Sequence, residues 1–254
     1  MLATRDRATL LTYAVLLLVT AGAWVSMLWS PMGGQDMAGM EMAMTPTVSE
    51  AAAFVATWAI MMAAMMLPSA APMIGLYAAT QRNAASRAAK AAAVASFALT
   101  YLALWAVTGL PIYFASLALM AVAPATLAYA IAAVLLAAGI FQLSPLKQVC
   151  LRHCRSPLGF LLGHWRAGWR GGLAIGWAHA LYCLGCCWAL MVVLVVAGAM
   201  GLPWVLLIAC IVEAEKLLPR GESIARIAGV VLALLGVAVA VHPGLATALR
   251  TSSM

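Results

Sequence analysis

The sequence predicts an all-α fold, a polytopic bundle of transmembrane helices. Residues of the set AVILMFWYC make up 66 % of the 254 positions, whereas about half is usual in a soluble globular protein. Only 8 % of the residues are charged, against about a quarter in soluble domains. The apolar residues also form runs of the length that a bilayer crossing requires, about 20 residues. These observations exclude a soluble enzyme, a disordered chain and a fibrous repeat.

Seven apolar runs are predicted to cross the membrane, within one membrane domain that comprises residues 1–254. They are about 8–29, 51–79, 91–118, 124–143, 173–198, 202–218 and 224–242. The first run follows Arg5 and Arg7 and contains no convincing cleavage site, so we expect it to remain as a helix. Residues 157–165 could form an interfacial or a re-entrant piece.

The distribution of basic residues predicts the orientation. With a cytoplasmic N-terminus, the cytoplasmic segments hold 13 of the 14 lysines and arginines, and the external loop 30–50 holds acidic residues but no basic one. This is the asymmetry of the positive-inside rule. We therefore expect a multi-pass protein of a bacterial inner membrane. The net charge of +7 follows from this topology and requires no nucleic-acid partner.

The fifth predicted span carries potential metal ligands on one face. At 100° per residue, an arc of about 100° contains all four of them: His179, Cys183, Cys186 and Cys187. Soft thiolates favour copper(I), zinc or iron–sulfur centres. One alternative is that these cysteines pack as small apolar residues. Another is that Cys183 and Cys186 form a redox-active C-x-x-C pair.

A second group of ligands is predicted in the basic cytoplasmic loop 144–172. Ser144 and Pro145 are typical of a helix start, and the helix that follows carries Cys150, His153 and Cys154. These residues make a partial site, for which His164 could supply a fourth ligand. The alternative is a basic interfacial helix without metal. We expect the basic neighbours to lower the pKa of the two thiols.

Methionines form two further groups. The external loop contains Met37, Met40, Met42 and Met44, which are difficult to explain by packing because the loop is hydrophilic. Thioethers are soft ligands that select copper(I). The second span carries Met61, Met62, Met65 and Met66 before Pro68. In this span the alternative is that the methionines are flexible core filler.

Three charged residues end the sixth predicted span: Glu213, Glu215 and Lys216. We expect Lys216 to extend towards the cytoplasmic surface and to form a local pair with a glutamate. Glu213 is the deeper acid and the better candidate for an ion or proton role.

Four stretches of the chain resemble a bacterial family of functionally uncharacterised, predicted metal-binding integral membrane proteins. They are 58–68, 142–154, 182–191, which contains Gly185-Cys186-Cys187-Trp188, and 215–219. The resemblance implies metal binding in a membrane. It carries over no reaction and does not extend to the external methionines.

The favoured interpretation is a protein that handles copper(I), by capture, by transfer across or within the membrane, or by loading a partner metalloprotein. Zinc is a possible second metal. The alternatives are a non-enzymatic subunit of a membrane assembly and a membrane thiol–disulfide oxidoreductase. Nucleotide-binding and hydrolase motifs are absent, so a binding protein is expected rather than an enzyme.

Overall fold

The computed structural model describes residues 7–29, 47–196 and 201–251, and all regular structure in these ranges is helical. This confirms the predicted all-α fold. The helices are α1 (Arg7–Trp29), α2 (Val48–Thr80), α3 (Arg87–Val107), α4 (Gly109–Met120), α5 (Pro124–Leu143), α6 (Pro145–Arg155), α7 (Pro157–His164), α8 (Gly168–Val196), α9 (Leu202–Leu217), α10 (Gly221–Val241) and α11 (Gly244–Thr251), with a short 3₁₀ turn at Gln81–Asn83.

Six helical stretches within the described ranges are long and apolar enough to cross a membrane. They are Thr9–Trp29, Val48–Thr80, Arg87–Met120, Thr126–Leu143, Gly168–Val196 and Gly221–Val241. The predicted span 202–218 forms helix α9, but its 16 residues rise only about 24 Å at 1.5 Å per residue, less than the roughly 30 Å of a hydrocarbon core. By length, α9 is therefore not among the six stretches that could cross a membrane.

Helices α2 and α8 form the centre of the bundle. Helix α3 packs along α8, α5 packs along α10, and α1 lies against α2. Small residues permit the close approach of α3 and α8: a Cβ at Gly176 would lie 2.6 Å from the backbone oxygen of Phe97. Close backbone contact of this kind is the typical use of glycine between helices in lipid.

Capping side chains determine where two of the helices begin. The Thr47 hydroxyl accepts from the Glu50 amide at 3.3 Å, and the Glu50 carboxylate accepts from the Thr47 amide at 2.9 Å, which is a capping box at the start of α2. The Ser144 hydroxyl accepts from the Lys147 amide at 3.2 Å at the start of α6. The helix start that the sequence predicts at Ser144 and Pro145 is therefore confirmed.

Helices α6 and α7 have 11 and 8 residues and are therefore too short to cross a membrane. Helix α6 packs against α8, and α7 packs against α2 and α6. Residues 157–165, for which the sequence leaves the structure open, thus contain helix α7. Its Phe160 and Leu161 are buried.

Candidate metal centre

Four thiols from two separate segments meet in the interior. The Sγ atom of Cys154, near the end of α6, lies 3.8 Å from Sγ of Cys186 on α8, and Sγ of Cys186 lies 3.4 Å from Sγ of Cys187. Cys183 is buried about one turn before Cys186 and Cys187 on α8. The two half-sites that the sequence places in different regions are therefore adjacent. We refer to Cys154, Cys183, Cys186 and Cys187 as the thiol cluster.

Helix α6 is anchored by its last residue, which positions Cys154. The Arg155 guanidinium donates to the carbonyl oxygens of Glu215 at 3.1 Å, Leu218 at 2.7 Å and Pro219 at 2.8 Å. These carbonyls belong to the last turn of α9 and to the two residues after it, where no following helical turn supplies amide donors. One side chain thus joins the ends of two helices beside the thiol cluster.

A buried lysine points into the thiol cluster. The Lys216 Nζ atom lies 3.0 Å from Sγ of Cys183, 3.2 Å from Oγ of Ser69 and 3.8 Å from Sδ of Met66. The lysine is only 7 % exposed. The expectation that Lys216 extends to the surface is therefore wrong, because the polar partners of its ammonium lie inside the bundle.

The expected local Glu–Lys pair is also replaced by longer-range contacts. Glu215 forms a 2.6 Å ion pair with Lys147 rather than with Lys216. Glu213 accepts a hydrogen bond from the Ser69 amide through Oε1 at 3.2 Å. Its other oxygen, Oε2, is buried and has no hydrogen-bond partner among the described residues. Glu213 is thus connected to α2 by one oxygen only.

Tyr101 of α3 connects the cluster to its surroundings. Its hydroxyl lies 3.0 Å from Sγ of Cys183 and donates to the carbonyl oxygen of Met66 at 3.3 Å. Its ring stacks on His179, with the ring centroids 5.6 Å apart. The His179 side chain is buried among aromatic rings, and its Nδ1 atom is without a partner in the part of the chain that the structure describes.

Cys150 and His153 lie at the edge of this region. Cys150 is partly exposed and lies against Gly185, where a Cβ would be 2.8 Å from the Cys150 sulfur. The His153 ring stacks on Tyr182 at 4.2 Å, and its Nδ1 atom lies 2.8 Å from the carbonyl oxygen of Val149. Cys150 and His153 therefore lie between α6 and α8, beside the thiol cluster.

The basic neighbours do not act on the thiols of α6 as expected. Burial raises the pKa of the Cys150 thiol, and the interaction with Cys183, together with burial, raises the pKa of the Cys154 thiol well above its usual value. The physical reason is the direction of the guanidinium groups. Arg152 donates to Glu222 at 2.9 Å, and Arg155 donates to backbone carbonyls of α9 and the residues after it.

The methionines of α2 are all interior, and the sulfur of one of them contacts Lys216. Met61, Met62, Met65 and Met66 are each no more than 1 % exposed, and Sδ of Met66 lies 3.8 Å from Lys216 Nζ. His164 stacks on Phe160 at 4.5 Å. The external methionines Met37, Met40, Met42 and Met44 lie outside the described residues.

Three residues at the site were not singled out as ligand neighbours from the sequence: Ser69, Tyr101 and Lys216. Lys216 did carry a signal, because a lysine inside an apolar segment is costly unless it has a partner. Ser69 and Tyr101 carried none, since a serine and a tyrosine are ordinary residues in such helices.

The arrangement offers soft sulfur donors in a dry interior. Thiolates and thioethers bind soft metal ions in preference to hard ones. In the ranges that the structure describes, no three or more His, Cys, Asp or Glu side chains surround a common point as in a formed metal site, so pairs of sulfurs are the available units. The protein is thus a bundle that contains helices of membrane length and gathers sulfur donors in its interior.

The comparison with known families identifies the group to which the chain belongs. The family described as PpoB2, copper chaperone, matches residues 55–239. The match covers most of the sequence, and the chain belongs to this family. The matched range includes the thiol cluster, Met66 and Lys216. Family membership supports a copper-related role. No curated protein and no solved structure matches the chain.

Proposed function

We propose that the protein is a membrane-embedded copper(I) chaperone, which holds the ion in the thiol cluster and passes it to a partner cuproprotein. The bacterial inner membrane is the proposed location, with the N-terminus in the cytoplasm. Copper(I) is the proposed cargo because its preferred ligands, thiolate and thioether sulfurs, are the donors that line the site.

The observation that carries the proposal is the convergence of Cys154 with Cys186. Three cysteines close together on one helix can be explained by packing alone. A fourth thiol that arrives from another helix, with its sulfur 3.8 Å from Cys186, is more difficult to explain in that way. Two facing thiols are a sufficient ligand unit for copper(I), which accepts low coordination numbers.

The methionines support an inward route. In the proposed orientation α2 begins at the external side, close to the methionine loop, and its four paired methionines lie in the interior along the way to the cluster. Met66 is the last of them and contacts Lys216. Neutral thioethers would pass the ion to thiolates, which bind it more strongly. Cys150 and His153 would then line the exit to a cytoplasmic partner.

The test is copper(I) binding by the purified full-length protein in detergent, measured by competition with a chromophoric copper(I) chelator under reducing conditions. Cys154→Ser and Cys186→Ser should each weaken binding by about 100-fold or more, since each removes one of two facing ligands. The matched control is Cys210→Ser, because Cys210 is exposed on α9 and lies outside the cluster. It should bind copper(I) as tightly as the parent.

Two results would contradict the proposal. One is a parent protein that binds no copper(I), as determined by elemental analysis. The other is a Cys154→Ser or Cys186→Ser variant that is folded and binds as tightly as the Cys210→Ser control.

A thiol–disulfide oxidoreductase is a second candidate, favoured by the short distance between Cys154 and Cys186. It predicts a reversible disulfide between these residues, detected as a mass shift after alkylation of reduced and oxidised protein. The C-x-x-C pair itself is less suited to this chemistry, because the Cys186 thiol donates to the carbonyl oxygen of Cys183 at 3.2 Å.

A further inference from the structure

The Lys216 ammonium occupies the place where a metal cation would be held. It contacts the Cys183 sulfur at 3.0 Å and the Met66 sulfur at 3.8 Å. Sulfur from α8 and sulfur from α2 thus meet at this nitrogen atom. Burying a cation costs free energy unless negatively charged or polar partners compensate the loss of water.

The ammonium and a copper ion cannot share this place. A metal–thiolate bond is about 2.3 Å long, so an ion bound to Cys183 would approach the nitrogen atom that lies 3.0 Å from the same sulfur. Two cations at such a distance in a poorly solvated interior repel each other strongly. Binding therefore requires that the ammonium move.

A second position for the ammonium exists on the same helix. Glu213 precedes Lys216 by three residues, so both project from one face of α9. Its Oε2 atom is buried and lacks a partner within the described ranges. Ser69 lies between the two positions: its hydroxyl contacts Lys216 at 3.2 Å and its amide donates to Glu213 Oε1 at 3.2 Å.

We infer that copper(I) binds by cation exchange: the ion that Cys154 and Cys186 hold takes the place of the Lys216 ammonium beside Cys183, and the displaced ammonium pairs with Oε2 of Glu213. This inference rests on the proposed function. Each thiol that becomes a ligand of the ion releases its proton, and the ammonium that leaves the sulfurs is matched by the Glu213 carboxylate. The lysine keeps the sulfurs matched to a cation when the metal is absent, and Glu213 receives it when the metal arrives.

The inference predicts a coupling between Lys216 and Glu213 that exists only in the copper-bound protein. The experiment is a double-mutant cycle on copper(I) affinity with the full-length parent, Glu213→Gln, Lys216→Gln and the double variant. In the parent background, Glu213→Gln should weaken copper(I) binding by about tenfold or more, because the displaced ammonium loses its anionic partner. In the Lys216→Gln background the same change should alter affinity less than about twofold.

A matched control and a conservative variant keep the test independent of folding. Glu222→Gln removes one carboxylate outside the cluster and should leave copper(I) affinity unchanged. Glu213→Asp keeps the carboxylate and should retain more affinity than Glu213→Gln. The helical content of each metal-free variant is checked by circular dichroism.

The outcomes separate this inference from the proposed function. Equal effects of Glu213→Gln in both backgrounds, or parent affinity in folded Glu213→Gln, would overturn the exchange while the cysteine variants still report on the thiol site. If Cys154→Ser and Cys186→Ser bind as tightly as the parent, the proposed function fails first.

Discussion

Two lysines are buried in the protein, Lys147 on α6 and Lys216 on α9, and their surroundings differ. Lys147 is fully buried and lies 2.6 Å from Oε2 of Glu215, and it also donates to the side-chain oxygen of Gln142. The Gln142 amide donates to Oε1 of Glu215 at 2.9 Å. Lys216 is also buried, but among the described residues it has no carboxylate within 4 Å, and its partners are two sulfurs and a hydroxyl.

The difference separates a lysine with a carboxylate partner from a lysine whose partners are sulfurs and a hydroxyl. At Lys147 each charged atom has a partner of the opposite charge or a polar side chain, so the group is closed. At Lys216 the ammonium faces ligands that also bind metals, and the nearby Glu213 retains a free oxygen. A buried charge without an oppositely charged partner is typical of a functional site.

The largest expected effect follows from removing the carboxylate partner of Lys147. Glu215→Gln leaves the buried Lys147 without its counter-ion, which should lower the free energy of unfolding by about 3–5 kcal/mol. The measurement is denaturant unfolding of the purified protein in detergent. Glu222→Gln is the control and should unfold like the parent. Equal stability of Glu215→Gln and the control would contradict a structural role for the Lys147 pair.

A smaller loss is expected from crowding the same region without removing a charge. A Cβ at Gly221 would collide with the backbone oxygen of Glu215 and with the Arg155 guanidinium. Gly221→Ala should therefore lower the free energy of unfolding by about 1–3 kcal/mol, the usual range for overpacking. Gly163→Ala is the control, since a Cβ at Gly163 would meet no atom within 4 Å. A loss of similar size in the control would indicate that local crowding is not the cause.

The Lys216 ammonium and its contacts should contribute little to the free energy of unfolding. Lys216→Leu replaces a buried charge that has no close carboxylate by an apolar side chain of similar volume. We expect the unfolding free energy of the metal-free protein to change by less than about 1 kcal/mol, or to increase. The same unfolding measurement applies. A loss as large as that of Glu215→Gln would show that the two lysines are equivalent, and the comparison would fail.

The smallest effect is expected at the surface. Arg152 and Glu222 form a 2.9 Å ion pair with side chains that are 68 % and 34 % exposed, and such pairs are screened by water and salt. Arg152→Gln should leave both the unfolding curve and copper(I) affinity within experimental error of the parent. A clear loss of copper(I) affinity would instead place Arg152 in the metal path.

Much of the fold and part of the site could be predicted from local patterns. Apolar runs of sufficient length predict helices, because a backbone in lipid must satisfy its own hydrogen bonds. Ser144 and Pro145 predict the start of α6, since the serine hydroxyl can accept from a free amide. The 100° advance per residue places Cys183, Cys186 and Cys187 near one face, because this periodicity is a property of the helix itself.

The limit of such reasoning appears at the sixth predicted span. The apolar run 202–218 predicts the bounds of α9, Leu202–Leu217, to within one residue, but it does not predict which groups the end of the helix contacts. The carbonyl oxygens at the end of α9 and directly after it accept hydrogen bonds from Arg155. That contact lies 60 or more positions away in the chain.

The sequence by itself determined the all-helical class, the membrane-length runs and the set of soft ligands. Only the tertiary structure decided that Cys154 meets Cys186 across 32 positions and that Lys216 meets Cys183 across 33. It also decided that Glu215 pairs with Lys147 and leaves Lys216 facing the sulfurs. The physical reason is that helical periodicity specifies which residues share a face, whereas the packing of small residues between helices specifies which faces meet.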